Sequence, residues 1–339
     1  MARKEEFYFT SSCGTTKIHA VRYIPEGNIT AILQITHGMV EYIERYEDFA
    51  LFMASKGFLV TGHDHLGHGK SINSKEEWGY FAKEDGNKAV LYDIYQLTQI
   101  TKEAYPNLPY FLLGHSMGSF YTRQYLCQFG QELDGAIVMG TGCQPLALVK
   151  SGMLLIQIIS LFKGWRYRCR FIDNMAFGSY NKAFEPGRTP KDWLSKDTAI
   201  VDHHATDERC NFTFTLNAYY NMFKGISRLY DKNLLSNMPK NLPVFFVAGS
   251  MDPVGDFGKG VLKVVDMFRK IGMKNVKVKL YEDDRHEILN ETDCSQVYMD
   301  LYQWLSSLLK ATIANLFYSN IGKLKRRMIQ THFILVPYA

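Results

Sequence analysis

Tyr110-Phe-Leu-Leu-Gly-His-Ser116-Met-Gly-Ser-Phe120 is the stretch on which the fold turns. Tyr110–Leu113 reads as a short buried strand, and the apolar spacing from Phe120 to Cys127 reads as a helix. Between them stands Gly114-His115-Ser116-Met117-Gly118, a GxSxG motif in a strand–turn–helix setting. The backbone must turn sharply there, so a Cβ at Gly114 or Gly118 would collide with the neighbouring strand or helix. The turn pushes the Ser116 hydroxyl out at the strand's C-terminal edge. The following helix presents its N-terminus to any negative charge that develops beside it.

Outward from this motif the first 140 residues alternate strand-like and helix-like segments. Ala31–Ile35 and Phe58–Thr61 read as strands, with a helix from Tyr46 to Lys56 between them. A second helix, Asn87–Ala104, closes at Pro106 before the strand at Tyr110, and the strand Ala136–Met139 follows the third helix. Such alternation predicts a parallel sheet with right-handed crossovers. The rhythm breaks at Gly142 and resumes with the strand Val244–Ala248, the helix Gly258–Lys270, the strand Val276–Tyr281 and a helix near Ser295–Leu309. The expected organisation is a core of residues 1–141 and 242–309, a largely helical lid over 142–241, and a basic tail over 310–339. In the lid, Met153–Phe162 is apolar almost all round, and Phe212–Phe223 adds aromatic residues. These residues pack the lid onto the core or line an acyl channel, with the 153–162 helix touching lipid aggregates.

A serine hydroxyl needs a base, and the base needs an orienting acid. In this architecture the chain order is Ser, acid, His. Asp252 follows the strand Val244–Ala248, and His286 follows Val276–Tyr281, so one sheet edge can gather both with Ser116. Asp256, Asp283 and Asp284 are rival acids, less well placed after a strand. The oxyanion donors expected are the backbone N–H groups of Met117 and of Met39, the latter in the His37-Gly38-Met39 loop. A rival chemistry sits at His63-Asp-His65-Leu-Gly-His68, which is similar to a zinc-binding HxHxDH motif. Gly67 stands where that motif needs a carboxylate, so no metal is expected. The bland reading makes Asp64 and these histidines supports for the active-site rim.

Composition narrows the class. Of 339 residues, 46% are apolar and 22% charged, as in ordinary globular proteins, so neither a disordered nor a collagen-like chain fits. The net charge of +5 comes from Lys310, Lys323, Lys325, Arg326 and Arg327. Those five removed from 39 leave 34 basic against 34 acidic residues in 1–309, so a nucleic-acid partner is not expected. Six scattered cysteines without CxxC spacing, and a charged N-terminus without a signal-peptide core, predict a cytoplasmic protein. The run Met153–Phe162 is shorter than the about 20 residues that span a bilayer.

His37-Gly38-Met39, Asp64-His-Leu-Gly-His-Gly-Lys-Ser71, Gly114-His-Ser-Met-Gly118, Asp252-Pro253 and Asp284-Arg-His286 occur in one order. In that order the chain resembles the monoacylglycerol lipase and lysophospholipase-like group of α/β-hydrolases, over roughly residues 7–309. The resemblance implies an α/β-hydrolase fold with a mostly parallel sheet flanked by helices, and a serine hydrolase without cofactor. By position it makes Ser116 the nucleophile, His286 the base, Asp252 the orienting acid, and Met39 and Met117 the oxyanion donors. His37, Gly38, Asp64, Gly114 and Gly118 would support them. The expected function is hydrolysis of carboxylic acyl esters, above all monoacylglycerol or lysophospholipid-like lipids. Thioesterase, peptidase and acyltransferase chemistry use the same constellation and stay open. A non-catalytic ligand-binding role or zinc hydrolysis is less expected.

Overall fold

The structure is a computed structural model and describes residues 2–310. Eight strands form one sheet in the order β1-β2-β4-β3-β5-β6-β7-β8. Their ranges are β1 Arg3–Thr10, β2 Lys17–Ile24, β3 Ala31–Thr36, β4 Phe58–His63, β5 Tyr110–His115, β6 Gly135–Met139, β7 Val244–Gly249 and β8 Val276–Tyr281. From β4 to β8 through β3 every neighbour is parallel, while β1, β2 and β4 pair antiparallel. Every residue of β3 to β7 is buried. A strand covered on both faces has no need of alternation, which is why these segments read as continuous apolar runs.

The hairpin β1–β2 has no counterpart among the expected strands. Its outer strand lies at the sheet edge, mostly exposed, with only Phe9 buried. An edge strand of charged and aromatic residues gives little of the hydrophobic signal that marks a central strand.

The helices between strands are α1 Glu47–Ser55, α2 Gly86–Ala104, α3 Met117–Phe129 and α9 Lys259–Lys270. Between β6 and β7 lie α4 Leu146–Lys163, α5 Arg170–Phe177, α6 Thr198–Thr206, α7 Leu216–Arg228 and α8 Lys232–Ser236. A last helix occupies 294–310. α4 extends well beyond the apolar run noted in the sequence, to 18 residues, and by length and composition alone it is long enough to cross a membrane. α7 sits within the expected lid but packs against α2 and α3. Its side of that seam is polar: Asn221 Oδ1 accepts from the Asn87 N–H at 3.0 Å, and Asn87 Nδ2 donates to Gln124 at 2.9 Å. α7 packs against α4 of the inserted segment as well, so it joins that segment to the core helices. The chain divides into two units, with the break between Ser295 and Gln296. The expected tail after Lys310 lies outside the described residues.

The topology locates a ligand site. β3 connects through α1 to β4 on one side, and β4 connects through α2 back across to β5 on the other. The strand order thus reverses between β3 and β5, and the loops there leave in opposite directions. The crevice at the C-terminal ends of such strands is where open α/β sheets bind ligands.

Candidate active site

Ser116 stands at this crevice, directly after β5, with φ 53° and ψ −118°. A non-glycine residue in such a region costs about 1–3 kcal/mol and needs surrounding structure to hold it. Here the Ser116 N–H donates to Met139 O at 3.0 Å, and the Ser119 N–H and hydroxyl donate to Ser116 O at 2.9 and 2.6 Å. The flanking glycines are required by space. A Cβ at Gly118 would lie 2.1 Å from Thr36 O, and one at Gly114 would lie 2.1 Å from Thr122 Oγ1.

Asp252 follows β7 and is fully buried; its Oδ1 accepts from the Val254 N–H at 2.9 Å. The same oxygen lies 2.9 Å from His286 Nδ1. That bond orients the ring so that Nε2 is the remaining nitrogen, and Ser116 and His286 both line one cavity. Of the rival acids, Asp284 pairs with Lys196 at 2.5 Å. The Trp193 ring lies 5.1 Å from that of His286, and Trp193 O accepts from the His286 N–H at 3.4 Å.

The loop after β3 brings Gly38 and Met39 alongside the serine: a Cβ built on Gly38 would lie 3.1 Å from Ser116 Cβ. Among the described residues neither the Met39 nor the Met117 N–H has an acceptor, and both residues line the cavity. His37 shapes this loop. Its Nε2 accepts from the His65 N–H at 2.9 Å, so its Nδ1 carries the proton and donates to Gly38 O at 2.8 Å. Asp64 supports the loop from below: its oxygens accept from the N–H groups of Ile43 and Lys70 at 2.8 Å and contact His19 Nδ1 at 2.9 Å. His63, His65 and His68 are buried, and burial pushes His63 and His68 down to about 3. They are neutral at ordinary pH. Among the described residues no group of three His, Cys, Asp or Glu side chains is arranged to hold a metal ion.

A buried charged network lies beneath the site, and the motif reading did not single it out. Glu41 accepts from the Gly38 N–H, from Tyr46 OH at 2.8 Å and from Arg45 at 2.9 Å, and lies 3.4 Å from His115 Nδ1. His115 Nε2 donates to His286 O at 3.1 Å, so one imidazole touches both the oxyanion loop's anchor and the base's own backbone. Burial alone would push Glu41 up, but the His115 hydrogen bond and the Arg45 charge hold it well below the usual carboxylate range. Burial lowers His115, yet Glu41 outweighs it and the ring is raised above its ordinary value. Arg45 also forks onto Glu287 at 2.6 and 2.7 Å; against the penalty of burial it brings that carboxyl to about 2. The one available sequence signal was the Glu41–Arg45 spacing of four.

The cavity in front of Ser116 has a volume of about 740 Å³, within the usual range for ligand sites. Leu148, Val149, Met175, Phe177 and Phe223 give it apolar walls, while Glu41, Lys191 and Glu287 make one part polar.

The profile of the serine aminopeptidase S33 family matches residues 27–293. The chain belongs to this family. It is 24% identical to the monoglyceride lipase of Mus musculus over 297 residues, covering 85% of this chain and 86% of that protein. It is 23% identical to the monoacylglycerol lipase of Mycolicibacterium smegmatis over 314 residues, covering 90% and 98%. Among solved structures, a thermostable carboxyl esterase from Bacillus coagulans, crystallised with glycerol, aligns with a TM-score of 0.84 and 30% identity, covering 91% of this chain and 99% of that one. The fold is accordingly that of an α/β-hydrolase of the monoacylglycerol lipase type, and its chemistry is carboxylic ester hydrolysis.

Proposed function

We propose that this family member hydrolyses monoacylglycerols and similar lipid esters of medium to long chain, through an acyl-enzyme on Ser116. The observation that carries the reading is the Asp252–His286 bond, with His286 and Ser116 lining one largely apolar cavity. His286 Nε2 takes the Ser116 proton as Oγ attacks the ester carbonyl. The resulting oxyanion accepts from the Met39 and Met117 N–H groups. Collapse expels the alcohol, which receives the proton from His286. Water, deprotonated by the same nitrogen, then releases the fatty acid and restores the serine. Asp252 holds the ring's tautomer and offsets the charge of the transient imidazolium. The acyl chain lies along the apolar walls and the neutral polyol head lies toward Glu41, Lys191 and Glu287.

The reading also has the exposed apolar side of α4 touch lipid aggregates, and keeps the cytoplasmic setting expected from the scattered cysteines. The test is hydrolysis of p-nitrophenyl esters from acetate to palmitate and of monoacylglycerols, run beside Ser116→Ala. A Ser116-dependent optimum at long chains is expected. An optimum at acetate would remove the lipid part, and silence on every ester would remove the ester part.

A further inference from the structure

The crest of the lid carries large apolar side chains in water. Leu154, Ile158, Leu161 and Phe162 are exposed, the last two at 82%. Their spacing of four, three and one puts them on a single face of α4. Trp165, Tyr167, Phe171 and Met175 continue the exposed apolar surface through the turn into α5. Monomeric proteins seldom leave such a patch without a partner.

The charges around it are not balanced. Residues 142–182 contain Lys150, Lys163, Arg166, Arg168, Arg170 and Lys182 but only Asp173 as an acid, a net charge of +5. Residues 1–309 are neutral as a whole, so the rest of that stretch carries −5. The one acid is also turned inward, bonded to Tyr219 OH. Not every cation is available: Arg168 donates to the backbone of Thr213 and Glu76, and Arg166 lies over Tyr80 at 4.0 Å and 3.8 Å from Glu77. Lys150, Lys163 and Arg170 are exposed and have no acidic partner among the described residues. Lys150 stands four residues before Leu154 on the apolar face, and Lys163 and Arg170 flank the Trp165–Tyr167 turn.

We propose that this crest docks on a lipid surface bearing anionic headgroups, with Leu161, Phe162 and Phe171 in the acyl boundary and Lys150, Lys163 and Arg170 on the headgroups. The inference rests on the lipid-ester reading and adds the kind of surface. An exposed apolar helix face flanked by aromatic and basic residues sits in the interface by this combination of apolar burial and charge attraction. Each cation near an anionic leaflet contributes about 1 kcal/mol, or roughly fivefold in affinity, so three contribute on the order of a hundredfold. The −5 elsewhere on the body is repelled by the same surface and turns the lid, with the cavity behind it, toward the lipid.

The test is flotation of the full chain with phosphatidylcholine vesicles, with and without phosphatidylserine, at low and high salt. The wild type is expected to prefer phosphatidylserine vesicles on the order of a hundredfold at low salt, falling as salt screens the charges. Lys150→Gln/Lys163→Gln/Arg170→Gln is expected to lose that preference and keep its hydrolysis of p-nitrophenyl acetate. Leu161→Ser/Phe162→Ser is expected to lose binding to both vesicles. Equal binding of the wild type to both vesicles overturns the proposal. So does a preference that survives the triple variant, which would assign it to other cations such as those after Lys310. Failure of the ester reading is distinguishable, because it would remove p-nitrophenyl ester hydrolysis from the wild type as well.

Discussion

Ser116 is held in an unfavourable backbone conformation by bonds to residues that never touch substrate. That arrangement separates what the side chain does from what the turn does. Ser116→Ala keeps every backbone bond of the turn and loses the nucleophile, so turnover should fall on the order of 10⁶-fold with the melting temperature held. Asp252→Asn keeps the shape but leaves His286 with the wrong tautomer, so a loss of about 10⁴-fold is expected. Steady-state rates on a soluble ester check both, and a loss of less than tenfold in either would remove that residue from the mechanism. Glu41 acts differently. Glu41→Gln leaves His115 without its anion and weakens the grip on the Gly38 N–H. Breaking a buried pair of this kind costs about 3–5 kcal/mol, read as a lowered midpoint in urea. His115 should lose its raised pKa in the same variant, visible in its NMR titration.

At the scale of elements, the central strands were legible because they are buried on both faces, and the helices because of their apolar spacing. The strand β5 and the turn after it were legible for a further reason: two glycines and a serine are the residues that the geometry admits. Gly118→Ala should therefore abolish activity and lower stability, since its Cβ would meet backbone oxygens of Thr36 and His37 at 2.1 and 2.6 Å. Purification yield and circular dichroism would register it; an active, stable variant would show that α3 can shift from the β3 loop. What was not legible has physical causes. β1 is an exposed edge strand and β2 pairs antiparallel beside it, outside the parallel rhythm. α7 reads as lid because it follows the insertion in sequence, yet its polar seam with α2 and α3 depends on Asn87 and Gln124, more than 90 positions away. The Glu41 network joins three loops through charges that carry no motif. Site residues on strand ends were thus readable from position, while residues that hold the site through long-range bonds were not.

At the scale of the whole molecule, buried histidines govern the response to acid. His37, His63, His65, His68 and His204 are all lowered, first by burial, with His63 and His68 at about 3 and His204 at about 4. Their folded values lie below the unfolded value of about 6.5. As pH falls, the unfolded chain binds protons first, so each contributes stability present above about 6.5 and lost progressively toward 3. Glu287, depressed to about 2 by Arg45 despite burial, adds a loss in the same direction below about 4.5. His19 and His115, raised against burial by Asp64 and Glu41, act with the opposite sign, as do the carboxyls that burial raises, Asp93 to about 6 and Asp284 and Glu291, while the lowered carboxyls of Glu41, Asp64 and Asp207 act with the five histidines. Net stability should therefore fall from pH 6.5 downward, measured as urea unfolding at a series of pH values. His63 isolates the effect, because both its ring nitrogens are buried without a partner. An unsatisfied buried polar group costs about 1–3 kcal/mol. His63→Leu removes that cost and the proton uptake together. It should hold or raise stability at pH 7 and make the acid slope shallower by about one proton. An unchanged slope would mean that His63 already binds its proton in the folded state and is not the neutral ring that its burial demands.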